Sequence, residues 1–212
     1  MAEPVVSLDG VSVRIGAVTV LRSLDLTIAR GDVVGLFGGN GAGKTTLLRL
    51  LATEIVPSSG SATVLGVDLA TGRRIDLRRH IGMVGHTPAL YQELSLAENL
   101  AFAAKVTGTH PDRAVDALAT VGLAAVADRR AAACSYGMQR RAELARELML
   151  RPSLLLLDEP HSALDASSAD IVGHLVDTVT AEGGAAVLVS HDRERIEKLA
   201  SRTVELAGGR LA

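Results

Sequence analysis

Apolar residues along this chain first recur at every second position and later at helical spacing, with short unbroken apolar runs between. Val5 to Leu8 and Val11 to Ile15 are β-like, and Leu24, Leu26 and Ile28 alternate with Asp25, Thr27 and Ala29. That period of two predicts a half-buried antiparallel sheet. Val33 to Phe37 is apolar except for Gly35 and reads as a buried strand. Leu47, Leu48, Leu50 and Leu51 then fall at helical spacing, ending near Ala52, and Pro57-Ser58-Ser59-Gly60-Ser61 turns the chain into a short strand from Ala62 to Leu65.

A basic stretch from Arg73 to His80 leads to Ile81–Gly85, which reads as a core strand. From Ser95 to about Leu150 the pattern is helical. Ser95 and Glu98 form a capping box before Leu96, Leu100 and Val106. Pro111 opens a second helix, with Val115 and Leu118 one turn apart and Gly122 as its stop, and a third runs from about Met138 to Leu150. Three helices with no strand between them predict an inserted helical lobe over about 95–150. Strands return at Leu154–Leu157 and Ala185–Ser190, separated by a helix stripe of Ile171, Leu175, Val176 and Val179, and Arg202–Leu206 reads as a last edge. The expected class is α/β: a parallel core sheet, an N-terminal antiparallel β-subdomain and an inserted α-helical subdomain, in a single domain over residues 1–212.

Composition narrows what such a fold does. With 212 residues, 48% of them hydrophobic, the chain can bury one substantial core. A net charge of −2 without a basic tail gives no electrostatic case for nucleic acid. A single cysteine, Cys134, excludes an intrachain disulfide and fits a reducing compartment, where it reads as a small buried hydrophobe rather than a reactive thiol. The N-terminus lacks the basic and apolar regions of a secretory signal, and no uncharged apolar run approaches the roughly 18 residues of a membrane span. Direct membrane insertion is therefore not expected, and work at a membrane requires a partner.

The first chemical signal is Gly38-Gly39-Asn40-Gly41-Ala42-Gly43-Lys44-Thr45-Thr46, set between the Val33–Phe37 strand and a helix. Strand, glycine-rich turn and helix are the context of a phosphate-binding P-loop. Glycines let the backbone curl its N–H groups inward, and the helix points its positive end at the anion. Lys44 can then reach the β- and γ-phosphates of a nucleoside triphosphate and Thr45 can offer its hydroxyl to Mg²⁺. The second signal is Asp158-Glu159 at the end of the Leu154–Leu157 run. Strand ends of parallel sheets meet ligands there. Asp158 can hold Mg²⁺ through its water shell, and Glu159, expected to point the other way, can orient or deprotonate an attacking water.

A weaker signal, Cys134-Ser135-Tyr136-Gly137-Met138, precedes the basic helix that begins Gln139-Arg140-Arg141. With it the chain resembles the nucleotide-binding subunits of ATP-binding cassette (ABC) transporters, a P-loop NTPase family: residues 134–138 match the family signature, Ser162-Ala163-Leu164-Asp165 its D-loop, and His191 its switch histidine. The resemblance implies an ATPase with ATP and Mg²⁺ as cofactors, paired head to tail with a second copy and joined to an integral membrane permease at the cytoplasmic face of the membrane. It further implies that Ser135 and Gly137 bind the γ-phosphate held by the partner's Lys44, that His191 bonds the same phosphate, and that Asp165 lies at the dimer interface, a role compatible with helix N-capping.

Departures from the family pattern locate the open questions. Ile15 stands where the family stacks an aromatic on adenine, so an apolar contact replaces stacking. Tyr136 and Met138 replace a signature Gly and Gln. His86 stands at the position of a glutamine that senses Mg²⁺ and the membrane partner; it either accepts from a metal-bound water or is a solvated loop residue. Gly85-His86-Thr87-Pro88 resembles a segment of the cytochrome c biogenesis ATPase proposed to serve a haem exporter, whereas Tyr136-Gly137-Met138 also occurs in drug and polysaccharide exporters. A soluble ABC protein of DNA repair or translation would carry a coiled-coil insertion or two cassettes, and a small-molecule kinase an acceptor site; the sequence has none of these.

Overall fold

A computed structural model describes residues 3–162, 164, 168 and 170–211. Its first sheet is antiparallel: β1 (Val6–Ile15) pairs with β2 (Val18–Ile28) and with β4 (Ser59–Val64), which carries the short β5 (Val67–Asp68) at its edge. The two runs expected as separate, at Val5–Leu8 and Val11–Ile15, are one strand. Shifts in register between Leu8 and Val11 bend it at Gly10, whose φ is +56°.

The second sheet runs β10-β9-β3-β8-β7-β6. Strands β3 (Val33–Phe37), β6 (Ile81–Val84), β7 (Leu154–Asp158), β8 (Ala185–Val189) and β9 (Arg202–Ala207) are parallel, and β10 (Arg210–Leu211) returns antiparallel on β9. Two expectations shift here. Arg202–Leu206 is not an edge, because Gly208 and Gly209, both at positive φ, turn the chain back to add β10. Ile81–Val84, expected as a core strand, does bury Gly82 and Val84 but forms the opposite edge, with alternating burial, and a Cβ at Gly82 would lie 2.3 Å from Glu147 Oε2 and 2.8 Å from Pro152 Cγ.

The apolar runs of β3, β7 and β8 are unbroken because both sheet faces are covered. Val33, Phe37, Leu155, Leu157, Ala186 and Leu188 join a core with the helices, while Val34, Leu36, Leu154, Leu156, Val187 and Val189 join a second core with the antiparallel sheet and α1 (Lys44–Leu51). The helices of the first core are α2 (Leu96–Thr107), α3 (Arg113–Thr120), α4 (Tyr136–Leu150) and α5 (Asp170–Ala181); α6 (Arg193–Leu199) packs beside β3. The Ser95/Glu98 capping box forms as expected, at 3.1 and 2.7 Å. Val115 does not pair with Leu118 in the core: α3 turns Ala114, Ala117 and Leu118 inward and leaves Val115 70% exposed. Cys134 is buried, and desolvation pushes its thiol pKa up. Among the described residues no helix is long and apolar enough to cross a membrane.

Candidate functional site

Parallel strands β3, β7 and β8 lie side by side, so the loops leaving their ends meet. Between them is a cleft of about 470 Å³ lined by residues 40–46, His86, Asp158, Glu159, His191, Val20 and Val189. This gathers the glycine-rich loop, the acidic strand end more than a hundred residues after it, and His191, a further 32 residues on from Glu159.

The loop needs its glycines. Gly38 has φ +148° and a Cβ there would lie 2.2 Å from the Leu206 carbonyl oxygen; Gly43, the residue before α1, has φ +108° and a Cβ would lie 2.8 Å from Leu21 Cδ2. Lys44 Nζ donates to the carbonyls of Gly38 at 2.7 Å and Gly39 at 3.0 Å, which holds the ammonium over the loop. Thr45 and Thr46 begin α1 and line the cleft beside it.

Consecutive strand residues point to opposite faces, yet Asp158 and Glu159 both line the cleft. The reason is the backbone at Glu159, whose φ of +51° ends β7 and turns the side chain back. Its carboxylate is then held by two donors from the end of β8: Ser190 Oγ at 2.8 Å on one oxygen and the His191 main-chain N–H at 2.8 Å on the other. Each oxygen keeps a second acceptor site. His191 Nε2 stands 3.8 Å from the same carboxylate, and its ring is largely exposed. Burial, then the charge of Glu159 beside it, pushes the Asp158 carboxyl above the ordinary carboxylate range, against the pull of His86, Lys44 and Arg140.

A partly buried carboxylate that is hard to ionise, next to a second one, suits a divalent cation. Among the described residues no cluster of three or more His, Cys, Asp or Glu could hold a metal unaided. Thr45 and Asp158 therefore fit Mg²⁺ of the kind that takes one carboxylate, a hydroxyl and substrate phosphates.

Other expected residues lie elsewhere. Ile15 pairs with Val18 at the β1–β2 turn, 48% exposed, and does not line the cleft. Ser135 caps α4, accepting from the Met138 N–H at 3.3 Å, and Gly137 is in its first turn; neither lines the cleft of its own chain. Asp165 lies outside the described residues. Three contributors are absent from the sequence reading. Val20 walls the cleft, Ser190 braces Glu159, and Arg140, fully buried, donates to the carbonyls of Gly85, Asp158 and Glu159 at 2.6, 3.4 and 3.2 Å. Ser190 adjoins His191 in sequence, which was the available signal; an arginine in a basic helix gave none.

Comparison with known proteins agrees with this geometry. The ABC transporter family model matches residues 21–162. A cytochrome c biogenesis ATP-binding export protein of Cupriavidus metallidurans is 37% identical over 195 residues, covering 91% of this chain and 92% of that protein. The Nod factor export ATP-binding protein I of Rhizobium sp. is 34% identical over 214 residues, covering 99% and 70%, and the phosphonates import ATP-binding protein of Chromohalobacter salexigens is 36% identical, covering 90% and 76%. An ATP-binding cassette solved as a dimer in a post-hydrolysis state with ADP and Pi superposes with a TM-score of 0.87 at 25% identity, over 97% of this chain and 96% of that one. The chain belongs to the ABC transporter family, as one of its ATP-binding, ATP-hydrolysing subunits.

Proposed function

We propose that residues 1–212 form one ATP-binding domain that works as a homodimer on an integral membrane permease, at the cytoplasmic face, and drives export linked to cytochrome c biogenesis, with haem as cargo. The observation that carries the export reading is His86 in the cleft, within the Gly85-His86-Thr87-Pro88 segment, together with the likeness to a cytochrome c biogenesis export protein over nearly its whole length. No role in nucleic-acid binding or direct membrane insertion is assigned.

In this reading the P-loop amides from Gly38 to Thr46 and the N-terminus of α1 hold the phosphates, Lys44 leaves its carbonyls for the γ-phosphate, Val20 gives the cleft an apolar wall, and the base extends past it toward the exposed Ile15. Thr45 and Asp158 would hold Mg²⁺, with His86 accepting from its water shell, and the ion would supply positive charge against the phosphates. Glu159, fixed by Ser190 and the His191 N–H, takes a proton from water as its oxygen attacks the γ-phosphorus and the bond to the bridging oxygen of ADP breaks. His191 orients the phosphate. Ser135 and Gly137 complete the site of the second copy, with Asp165 between the two. The permease takes the apolar groove of about 590 Å³ between β6, α2 and α4, where Tyr91 and Phe102 stack edge to face at 5.0 Å.

Glu159→Gln tests the core of this reading. It is expected to keep ATP binding, to lower turnover about a hundredfold or more, and to trap a dimer on size-exclusion chromatography with ATP. Hydrolysis at the native rate would remove Glu159 from the mechanism. A second reading, a polysaccharide or drug exporter, is favoured by Tyr136-Gly137-Met138 and by the likeness to a Nod factor export protein. ATPase stimulation of the permease complex by haem, against stimulation by a polysaccharide or a drug, separates the two.

A further inference from the structure

Helix α4 lays one polar stripe along the backbone that leaves β6. Tyr136, Arg140, Glu143 and Arg146 follow one another at steps of four, three and three, which places them on one helical face. The Tyr136 hydroxyl donates to the main-chain oxygen of His86. Arg140 Nη1 donates to the Gly85 carbonyl at 2.6 Å. The Ala89 N–H donates to Glu143 Oε1 at 2.7 Å, and Arg146 donates to the carbonyls of Ala89 at 3.1 Å and Met83 at 3.4 Å. The stripe thus grips the segment from Met83 to Ala89 on both sides of His86.

Its members differ in what else they do. Arg140 and Glu143 are fully buried, 3.2 Å apart, and their loss would leave a lone charge in the core. Tyr136 is 41% exposed, at the first turn of α4, and its polar contact is with the His86 backbone. The His86 ring makes no hydrogen bond to any described residue, although it lines the cleft together with Asp158 and Lys44. What aims the ring is therefore its main chain.

We propose that Tyr136 is a positioning residue for ATP hydrolysis: its hydroxyl anchors the His86 main chain and thereby aims the imidazole at Asp158 and the phosphate loop. This rests on the reading of His86 as a working residue of the nucleotide site. It also gives adjacent residues of the signature segment separate tasks, Ser135 toward the second copy's nucleotide and Tyr136 toward its own.

The test uses the full chain and three variants, Tyr136→Phe, His86→Ala and the double variant. Tyr136→Phe keeps the ring and removes one hydrogen bond; it is expected to lower kcat roughly three- to tenfold with KM for ATP and the melting temperature unchanged. In the His86→Ala background the same substitution is expected to add nothing. In nucleotide-free protein labelled with 15N-histidine, the ring resonance that vanishes in His86→Ala should shift or broaden in Tyr136→Phe. A native kcat with an unmoved ring resonance in Tyr136→Phe, or an equal fall in both backgrounds, overturns the proposal. If His86→Ala itself hydrolyses at the native rate, the role of His86 falls and the anchor with it; if His86→Ala is slow and Tyr136→Phe is native, the anchor alone falls.

Discussion

The phosphate cleft and the apolar groove share a boundary, the segment from Met83 to Ala89: His86 lines one, Met83 and Ala89 the other. They are made in different ways. The cleft is built from backbone turns at strand ends, where the glycines and the lysine form one contiguous run and the two acids another. The groove is built from single side chains of β6, α2, α4 and the loop residues Ala89, Leu90 and Tyr91, brought together only by packing. A site made of main chain tolerates little change at the positions whose backbone it uses, whereas a site made of side chains can be altered one contact at a time.

That contrast is easiest to break at the loop. Gly38→Ala places a Cβ against the Leu206 carbonyl, whereas at Gly39 nothing lies within 4 Å. Gly38→Ala is expected to weaken ATP binding about a hundredfold and Gly39→Ala by less than about threefold, as read by fluorescent nucleotide titration with circular dichroism as a folding control. Equal effects would mean that backbone geometry does not govern the cleft. For the groove, Phe102→Glu puts a charge into an apolar contact and should lower recovery of the permease in detergent about tenfold, leaving nucleotide affinity as it was. Loss of nucleotide affinity instead would show that the two concavities are not separable.

Smaller effects sharpen the picture. Ile15→Tyr restores an aromatic ring beside the base and should tighten ATP about fivefold, near 1 kcal/mol, measured by calorimetry. Unaltered affinity would place the base away from the β1–β2 turn. Asp158→Asn should modestly stabilise the nucleotide-free protein at pH 7, because burial and the charge of Glu159 hold the Asp158 carboxyl above its ordinary range. The sign follows from a carboxyl held above its unfolded value: its ionisation costs stability at neutral pH, and the cost disappears as pH falls through the ordinary aspartate range, about 4. The gain in urea unfolding should therefore shrink between pH 7 and pH 4; a gain independent of pH would point to a cause other than charge.

Much of the cleft was legible in the sequence because its parts are contiguous. Residues 38–46 carry the loop, and an apolar run before Asp158 and Glu159 carries the strand end. The parallel sheet was legible for a similar reason, since β3, β7 and β8 are apolar on both faces. The edges were not, because β10 depends on a two-glycine turn and β6 on the close approach of Glu147 to Gly82. Arg140 and Glu143 were invisible for a deeper reason: charges three apart on a helix look like a solvated face. Only the tertiary fold reveals that Arg140 has no exposure and is directed at three backbone carbonyls. Val20 was likewise hidden, since a strand valine carries no mark of the ligand it meets.

The lysine of the phosphate loop already has two partners, the carbonyls of Gly38 and Gly39. Those carbonyls hold its positive charge at the loop as a resident placeholder. Nucleotide arrival is then an exchange of partners rather than the filling of a void, and departure returns the ammonium to the same two oxygens. Those two bonds tie the start of α1 back onto the loop, so part of the ordering cost of a glycine-rich turn is met at folding, before nucleotide arrives.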